Sequence, residues 1–372
     1  MSRGAFQRIW LPGFMLQSVV IGGGYATGRE LVEFFLSSGP AGGLLGIAVA
    51  TVLFSIASAL TFEFARITAS VNYRRFFEAL LGKGWFLYEL PYVVLCVLVL
   101  AVIASAAGEI VAAHWHLDRI IGTVLLVVPI AVLVFRGTPL IEKVLAGWSF
   151  LLYATYALLV AGYLWSYGAD LAENLAAVPP ASGWFDKGVR YFGYNLAAIP
   201  IVLFCVRHMT SRRDAFAAGL LAGPLVMLPA LMFYLAMSAS YPQILDVAVP
   251  ADYMMRELGI VWLQALFYVV VFGTFIETGT AFIHAINERV EFAFQARSRA
   301  MPRWLRPSVA IVVLLLSVVL AVRFGIIDLI ARGYGLLTWA FIAVFAVPLA
   351  TIGAWRIWRS SPDVARLDNH TD

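Results

Sequence analysis

Charge is scarce in this chain. Lys, Arg, Asp and Glu together make up 13% of 372 residues, while 62% are hydrophobic. That balance excludes an ordinary soluble domain of this size. Long polar tails and low-complexity tracts are also missing. The largest polar stretches run to roughly 20 residues, too few for an independent catalytic domain. Cysteine is reduced to Cys96 and Cys205, both inside apolar runs. They read as small buried hydrophobes, and no disulfide framework or metal-ligand spacing is present. HExxH, GxSxG and paired aspartates within apolar segments are absent, which argues against an intramembrane enzyme. No A-x-A-like cleavage site follows the first apolar run, so Arg3, Arg8 and that run are read as a first span rather than a signal peptide. The net charge of +4 is modest, and no nucleic-acid partner or metal cofactor is expected.

What the chain has in abundance is apolar length. A membrane helix needs about 20 mostly apolar residues. Windows between charge clusters give ten candidate spans: 9–37, 40–65, 85–113, 119–135, 144–165, 189–206, 214–240, 259–287, 307–323 and 326–357. Between the second and third lies Asn72–Gly82. There Phe76, Phe77, Leu80 and Leu81 share a face opposite Arg74, Arg75 and Glu78, the pattern of an interfacial amphipathic helix. With the N-terminus inside, 19 of the 26 Lys and Arg residues fall in cytoplasmic stretches. The outer side keeps Arg29, Arg119, Lys187, Arg190, Arg256, Arg323 and Arg332. This asymmetry places both termini in the cytoplasm and requires an even number of spans.

The first span is interrupted by Gly22-Gly23-Gly24 within IGGGYATGRE (21–30). Glycine is a poor helix former, and a break at membrane depth survives only where the backbone is buried in protein or lines a cavity. A weak internal repeat accompanies it. AGGLLGIAVA (41–50) opens the second span and AAGLLAGPLV (217–226) opens the seventh, an offset of 217 − 41 = 176. The same offset carries Gly22–Gly24 onto Ala198–Pro200, so the sixth span is expected to be interrupted at Pro200. Five spans per copy is odd, so the second copy must run inverted. Paired interruptions in corresponding segments of two halves point to a transporter binding site.

Ten spans, a 5+5 inverted repeat and broken first and sixth helices resemble the LeuT-type fold of the amino acid–polyamine–organocation superfamily. The segments IGGGYATGRELVEFF (21–35) and GYNLAAIP (193–200) are similar to the YkvI-type bacterial membrane proteins. The resemblance implies an all-α integral membrane protein of the bacterial cytoplasmic membrane. It divides the chain into a first five-helix repeat (1–165), an outer loop (166–188), an inverted second repeat (189–357) and a cytoplasmic tail (358–372). It implies a secondary transporter of a small amino-acid-like or amine solute, working by alternating access. Its partners are the solute, a coupling ion and the lipid bilayer.

Several residues are candidates for the chemistry. Free amides of Gly23, Gly24 and Tyr25 open the outer half of the first span, where a carboxylate binds well. By resemblance, Gly22, Gly23, Gly24 and Tyr25 hold the solute's carboxylate. The packing alternative is that Gly24 and Gly28 let two helices approach. Carbonyls near Ser18–Ile21 point toward a cation. The sixth span offers Tyr194, Asn195, Ala197, Ala198 and Ile199, and Asn195 either meets the solute or caps its own half-helix. In the eighth span, VVVFGTFIETGTAFIHAINER (269–289), Gly273, Glu277, Thr280 and His284 share one face. Thr274 and Thr278 form a second polar row.

A charged carboxylate at bilayer centre costs at least about 2.5–3.5 kcal/mol on insertion scales. Glu277 therefore faces the bundle as a proton carrier, as an anionic ligand for Na+, or as a neutral structural acid. By resemblance, Ser18, Ile21, Thr274 and Thr278 belong to the same ion site, with H+ favoured and Na+ the alternative. The resemblance also implies an outer gate between Arg29 and Asp328. His114-Trp115-His116 reads as a loop with an interfacial tryptophan rather than a metal site. A channel would require rings of like charge or repeated carbonyl motifs, and neither is present. A transporter-like sensor that binds without moving solute is the competing function.

Overall fold

The computed structural model describes residues 3–136, 148–295 and 298–360. Every regular element among them is helical. Seven helical runs are long and apolar enough to cross a membrane: Pro40–Ile67, Glu89–Trp115, Phe150–Ala177, Trp184–His208, Arg212–Ser238, Val261–Gln295 and Leu305–Arg359. Arg119–Phe135 is a shorter apolar helix. Large apolar side chains such as Phe150, Trp165, Val261 and Leu336 stand exposed on the outside of the bundle. That is the surface a lipid-facing helix presents, because lipid exerts no penalty on it.

The remaining expected spans depart from simple helices for identifiable reasons. The first begins as a helical run through Arg3–Trp10 into α1 (Leu11–Val20). It then breaks at Ile21 and Gly22, whose ψ angles of 71° and −169° are not helical. One helical turn follows, α2 (Gly23–Ala26), and then α3 (Arg29–Phe34). Gly28 between them has φ +78°, a left-handed conformation that costs a residue with Cβ roughly 1–2 kcal/mol. The first span is thus broken twice, at Ile21–Gly22 and at Gly28, where the sequence predicts a single break. The last two expected spans form one run from Leu305 to Arg359. Gly325 divides it at φ 71°, ψ 168°.

The second and seventh spans pack closely along their length. We label Pro40–Ile67 α4, and number onward Tyr73–Leu81 (α5), Glu89–Trp115 (α6), Arg119–Arg136 (α7), Trp148–Ala177 (α8), Trp184–Asn195 (α9) and Arg212–Ser238 (α10). Gly219 and Gly223 of α10 lie against the Ser55, Ser58 and Ala59 backbone of α4, and Gly43 of α4 lies under the Tyr234 ring. Small residues let the two backbones approach, as membrane helices without a hydrophobic driving force require. α10 opens with a full capping box: Ser211 accepts from the Asp214 amide, and Asp214 accepts from the Ser211 amide.

Two expectations need revision here. The outer loop expected over 166–188 is mostly helix, since α8 runs through a kink at Tyr167 to Ala177 and α9 starts at Trp184. The segment after Asn72 is the helix α5, capped by Asn72 Oδ1 on the Arg75 amide at 2.9 Å. Its apolar face, however, is covered by protein. Phe76 and Phe77 are fully buried against Phe64, Tyr88 and Phe345.

The sixth span is not unwound. α9 passes at Leu196 directly into a 3-10 helix, Leu196–His208, with no extended residue between. Pro200 sits inside that helix and has no N–H to give. In 3-10 winding its partner would be the Ala197 carbonyl. Tyr88 of the loop before α6 supplies the missing donor, its hydroxyl reaching Ala197 O at 3.2 Å. The interruption expected at Pro200 therefore takes the form of a change in winding rather than a gap.

Candidate functional site

A cavity of about 340 Å³ opens at the first-span break. It is within the range of small-molecule sites. We label Val261–Gln295 α12, after Pro250–Leu258 (α11). The cavity wall brings together Ser18, Ile21, Gly22, Gly23, Gly24 and Tyr25 from the first span. Tyr194, Asn195, Ala197 and Ala198 of the sixth span and Thr274, Glu277 and Thr278 of α12 complete it. Of the residues named for solute or ion, Ile199 is buried away from this wall and Gly273, Thr280 and His284 do not line it; the others do.

The break is built from named hydrogen bonds. Ile21 N–H closes α1 on Gln17 O at 2.9 Å, and Gly22 N–H turns back to Val20 O at 2.9 Å. Among the described residues, no donor reaches the carbonyls of Ser18, Val19 and Ile21. The Gly23 amide, expected to be free, is taken by Thr278 Oγ1 at 3.0 Å. The Gly24 and Tyr25 amides have no acceptor among the described residues. Thr27 Oγ1 donates to Gly24 O at 2.7 Å and accepts from the Arg29 amide, which fixes the turn that leads into Gly28.

The face of α12 that meets the cavity differs from the expected one. Thr274, Glu277, Thr278, Ala281 and Ala285 line it, at i, i+3, i+4, i+7 and i+11. Gly273 is instead pressed on the Trp148 ring, Thr280 is buried with its hydroxyl on Ile276 O, and His284 is exposed near Glu288. Glu277 thus belongs to the threonine row, and His284 does not share its surface. Among the described residues Glu277 has neither an ion-pair nor a hydrogen-bond partner. Asn195 donates to Tyr191 O at 2.9 Å, the capping role that competed with solute contact, while still lining the cavity.

Arg29 and Asp328 are not brought together. Arg29 is buried, and its guanidinium donates to Leu245 O at 2.6 Å, to Val247 O at 3.1 Å and to Glu33 at 3.0 Å. Asp328 pairs with Arg332 at 3.3 Å on an exposed turn. The physical reason is the second break at Gly28, which aims Arg29 at the 243–251 stretch. The Ala251 amide also donates to Thr27 O at 3.0 Å, so that stretch is clasped over the outer end of the first span.

Among the wall residues that the sequence reading gives no role are Glu30 and Tyr334. Glu30 is 5% exposed, lines the cavity, and accepts a hydrogen bond from the Tyr194 hydroxyl at 2.5 Å on Oε2. Its Oε1 lies against Gly24, where a Cβ would collide with it. Tyr194 stacks on Tyr334 with ring centroids 4.6 Å apart. The two charged side chains on the wall, Glu30 and Glu277, are both carboxylates. The only signal for Glu30 in the sequence is an acid close after a glycine break, beside Arg29.

No known family profile matches the chain, and no curated protein matches it in sequence. Solved structures do. A Na+-coupled sialic acid symporter in a substrate-bound, outward-open state aligns with a TM-score of 0.62 at 11% identity, over 92% of this chain and 78% of that one. A variant of the manganese transporter of Eremococcus coleocola aligns with a TM-score of 0.51 at 13% identity, over 93% of this chain and 78% of that one. At such identity the likeness is one of fold. The chain has the helical membrane-protein fold that those transporters share.

Proposed function

We propose that the protein is a secondary active transporter of a small amino-acid-like or amine solute, coupled to an ion and working by alternating access. The observation that carries this reading is the shared cavity. It joins the first-span break, the 3-10 stretch of the sixth span and the polar row of α12 on one surface. Discontinuous helices around a central site are how secondary transporters expose backbone groups to solute and ion. The fold common to two ion-coupled or metal transporters supports the same reading. In this reading the chain forms two inverted five-helix repeats, 1–165 and 189–357, with both termini in the cytoplasm.

The ion occupies the inner side of the break. The carbonyls of Ser18 and Ile21, the hydroxyls of Thr274 and Thr278 and the unpaired Glu277 surround it. A proton on Glu277 is favoured, because an unpaired carboxylate within the bundle is most cheaply held neutral. Solute and ion both stabilise the occluded state relative to the open ones, and coupling follows from that shared preference. Arg29 and the clasped 243–251 stretch close the outer side. Reconstitution into proteoliposomes tests the reading. Uptake that survives replacement of sodium by choline at fixed pH assigns the proton, uptake lost in choline assigns Na+, and binding without flux assigns a sensor.

A further inference from the structure

We propose that Glu30, with the hydroxyls of Tyr25 and Tyr334, forms the pocket that takes the protonated amino group of the solute. The inference rests on the transporter reading for its biological meaning, but the binding site stands on its own geometry.

Three observations carry it. First, Glu30 is a buried carboxylate without a cationic partner among the described residues: Arg29, next to it, is committed to Leu245, Val247 and Glu33. A buried carboxylate holding its charge needs a counter-charge. Second, only one of its two oxygens is engaged, by a single hydrogen bond. Tyr194 occupies Oε2, and Oε1 accepts nothing among the described residues. Third, the hydroxyls of Tyr25 and Tyr334 are buried and without a partner, although both residues line the same cavity. Tyr334 Oη and Glu30 Oε1 flank the same face of Gly24.

An organic ammonium satisfies all of these at once. Its N–H groups donate to Oε1 and to the Tyr334 hydroxyl beside it, the unpartnered Tyr25 hydroxyl lies in the same cavity, and the charge faces tyrosine rings that attract cations. A carboxylate in the same place would meet two acids on the wall and no base. The solute class is therefore a small primary or secondary amine, in which a carboxylate is tolerated but is not the group Glu30 reads. Gly24 leaves the Glu30 carboxyl in place, where a side chain would have to push it aside.

Isothermal titration of the purified full chain in detergent tests this. The amine probes are butylamine, phenethylamine and the methyl esters of alanine and leucine. The controls are the matching alcohols and N-acetyl amino acids. The amines are expected to bind and the controls not, and Glu30→Gln is expected to weaken amine binding about tenfold or more, the scale of one charge-assisted hydrogen bond. Tyr334→Phe, which keeps the carboxylate, is expected to weaken it by a smaller factor. If Glu30→Gln does not elute as a folded monodisperse species, Glu30→Asp and Tyr334→Phe carry the test. The proposal is overturned if no amine binds, if N-acetyl amino acids bind as tightly as amines, or if Glu30 and Tyr334 variants retain wild-type affinity. Amines that bind through Glu30 yet are never accumulated in proteoliposomes would remove the transporter reading and leave this site standing. Accumulation of amines with unchanged affinity in the Glu30 variants would do the reverse.

Discussion

The amide of Gly23 donates to Thr278 Oγ1 at 3.0 Å, across 255 positions of sequence. This bond ties the broken first span to the α12 row that carries Glu277. Thr278→Val removes the acceptor and leaves a part-buried amide unsatisfied, at a cost of about 1–3 kcal/mol. Thr278→Ser restores the oxygen. Thermal denaturation in detergent should rank wild type and Ser together above Val; equal stability of Ser and Val would show that the bond contributes nothing.

A side chain at Gly24 has to push the Glu30 carboxyl aside. A Cβ there would strike Glu30 Oε1, with Tyr334 Oη only 3.5 Å away. Gly24→Leu should abolish solute binding by filling the cavity, while the elution profile stays that of the wild type. Wild-type affinity in that variant would place the site elsewhere.

Tyr88 stands in for the donor that Pro200 lacks. Removing its hydroxyl in Tyr88→Phe takes that donor from the buried Ala197 carbonyl and should cost about 1 kcal/mol. The double variant with Pro200→Ala supplies a backbone N–H again, so it should recover part of the loss. Strictly additive effects in a double-mutant cycle would contradict the compensation.

Asp252 in α11 accepts from the Tyr268 hydroxyl at 2.8 Å and pairs with Arg256 at 3.1 Å. His114 Nδ1 meets the same Tyr268 hydroxyl at 3.2 Å. Burial pushes the Asp252 carboxyl above its ordinary value, and the Tyr268 bond, Arg256 and His114 only partly oppose it. A carboxyl raised in the folded state favours folding in acid, and that contribution is lost as pH rises through the folded value. The stability of wild type minus that of Asp252→Asn should therefore fall as pH rises upward from about 4. Melting curves across pH check this, and a difference that grows with pH would reverse the sign.

The first break is legible in the sequence because three consecutive glycines inside an apolar run disfavour an unbroken helix. That Glu277 and the threonines belong to one helix is equally plain. Which row of α12 faces inward is not, since Gly273 and His284 extend the periodicity just as well. Only the Trp148 ring on Gly273 and the exposure of His284 decide that. Glu30 is hidden for a different reason. On an unbroken helix it would lie about 10 Å along the axis from Gly23. The left-handed Gly28 folds it back, so that its carboxyl touches Gly24. A lone glycine in a short helical segment gives little warning of that. The Arg29–Asp328 gate fails because the same turn redirects Arg29. The sixth span does not open at Pro200: the chain is wound as a 3-10 helix there, and the Tyr88 hydroxyl meets the Ala197 carbonyl that the proline cannot serve.

The most direct measurement is uptake of a labelled amine into proteoliposomes with the outside acidic and the lumen neutral. A free amine distributes passively toward the acidic side, so unaided diffusion works against accumulation. The account predicts saturable accumulation in the lumen, collapsed by a protonophore, indifferent to replacement of sodium by choline, and uncoupled from the pH gradient in Glu277→Gln. Saturable binding with no accumulation, or gradient-driven uptake unchanged in Glu277→Gln, would contradict it.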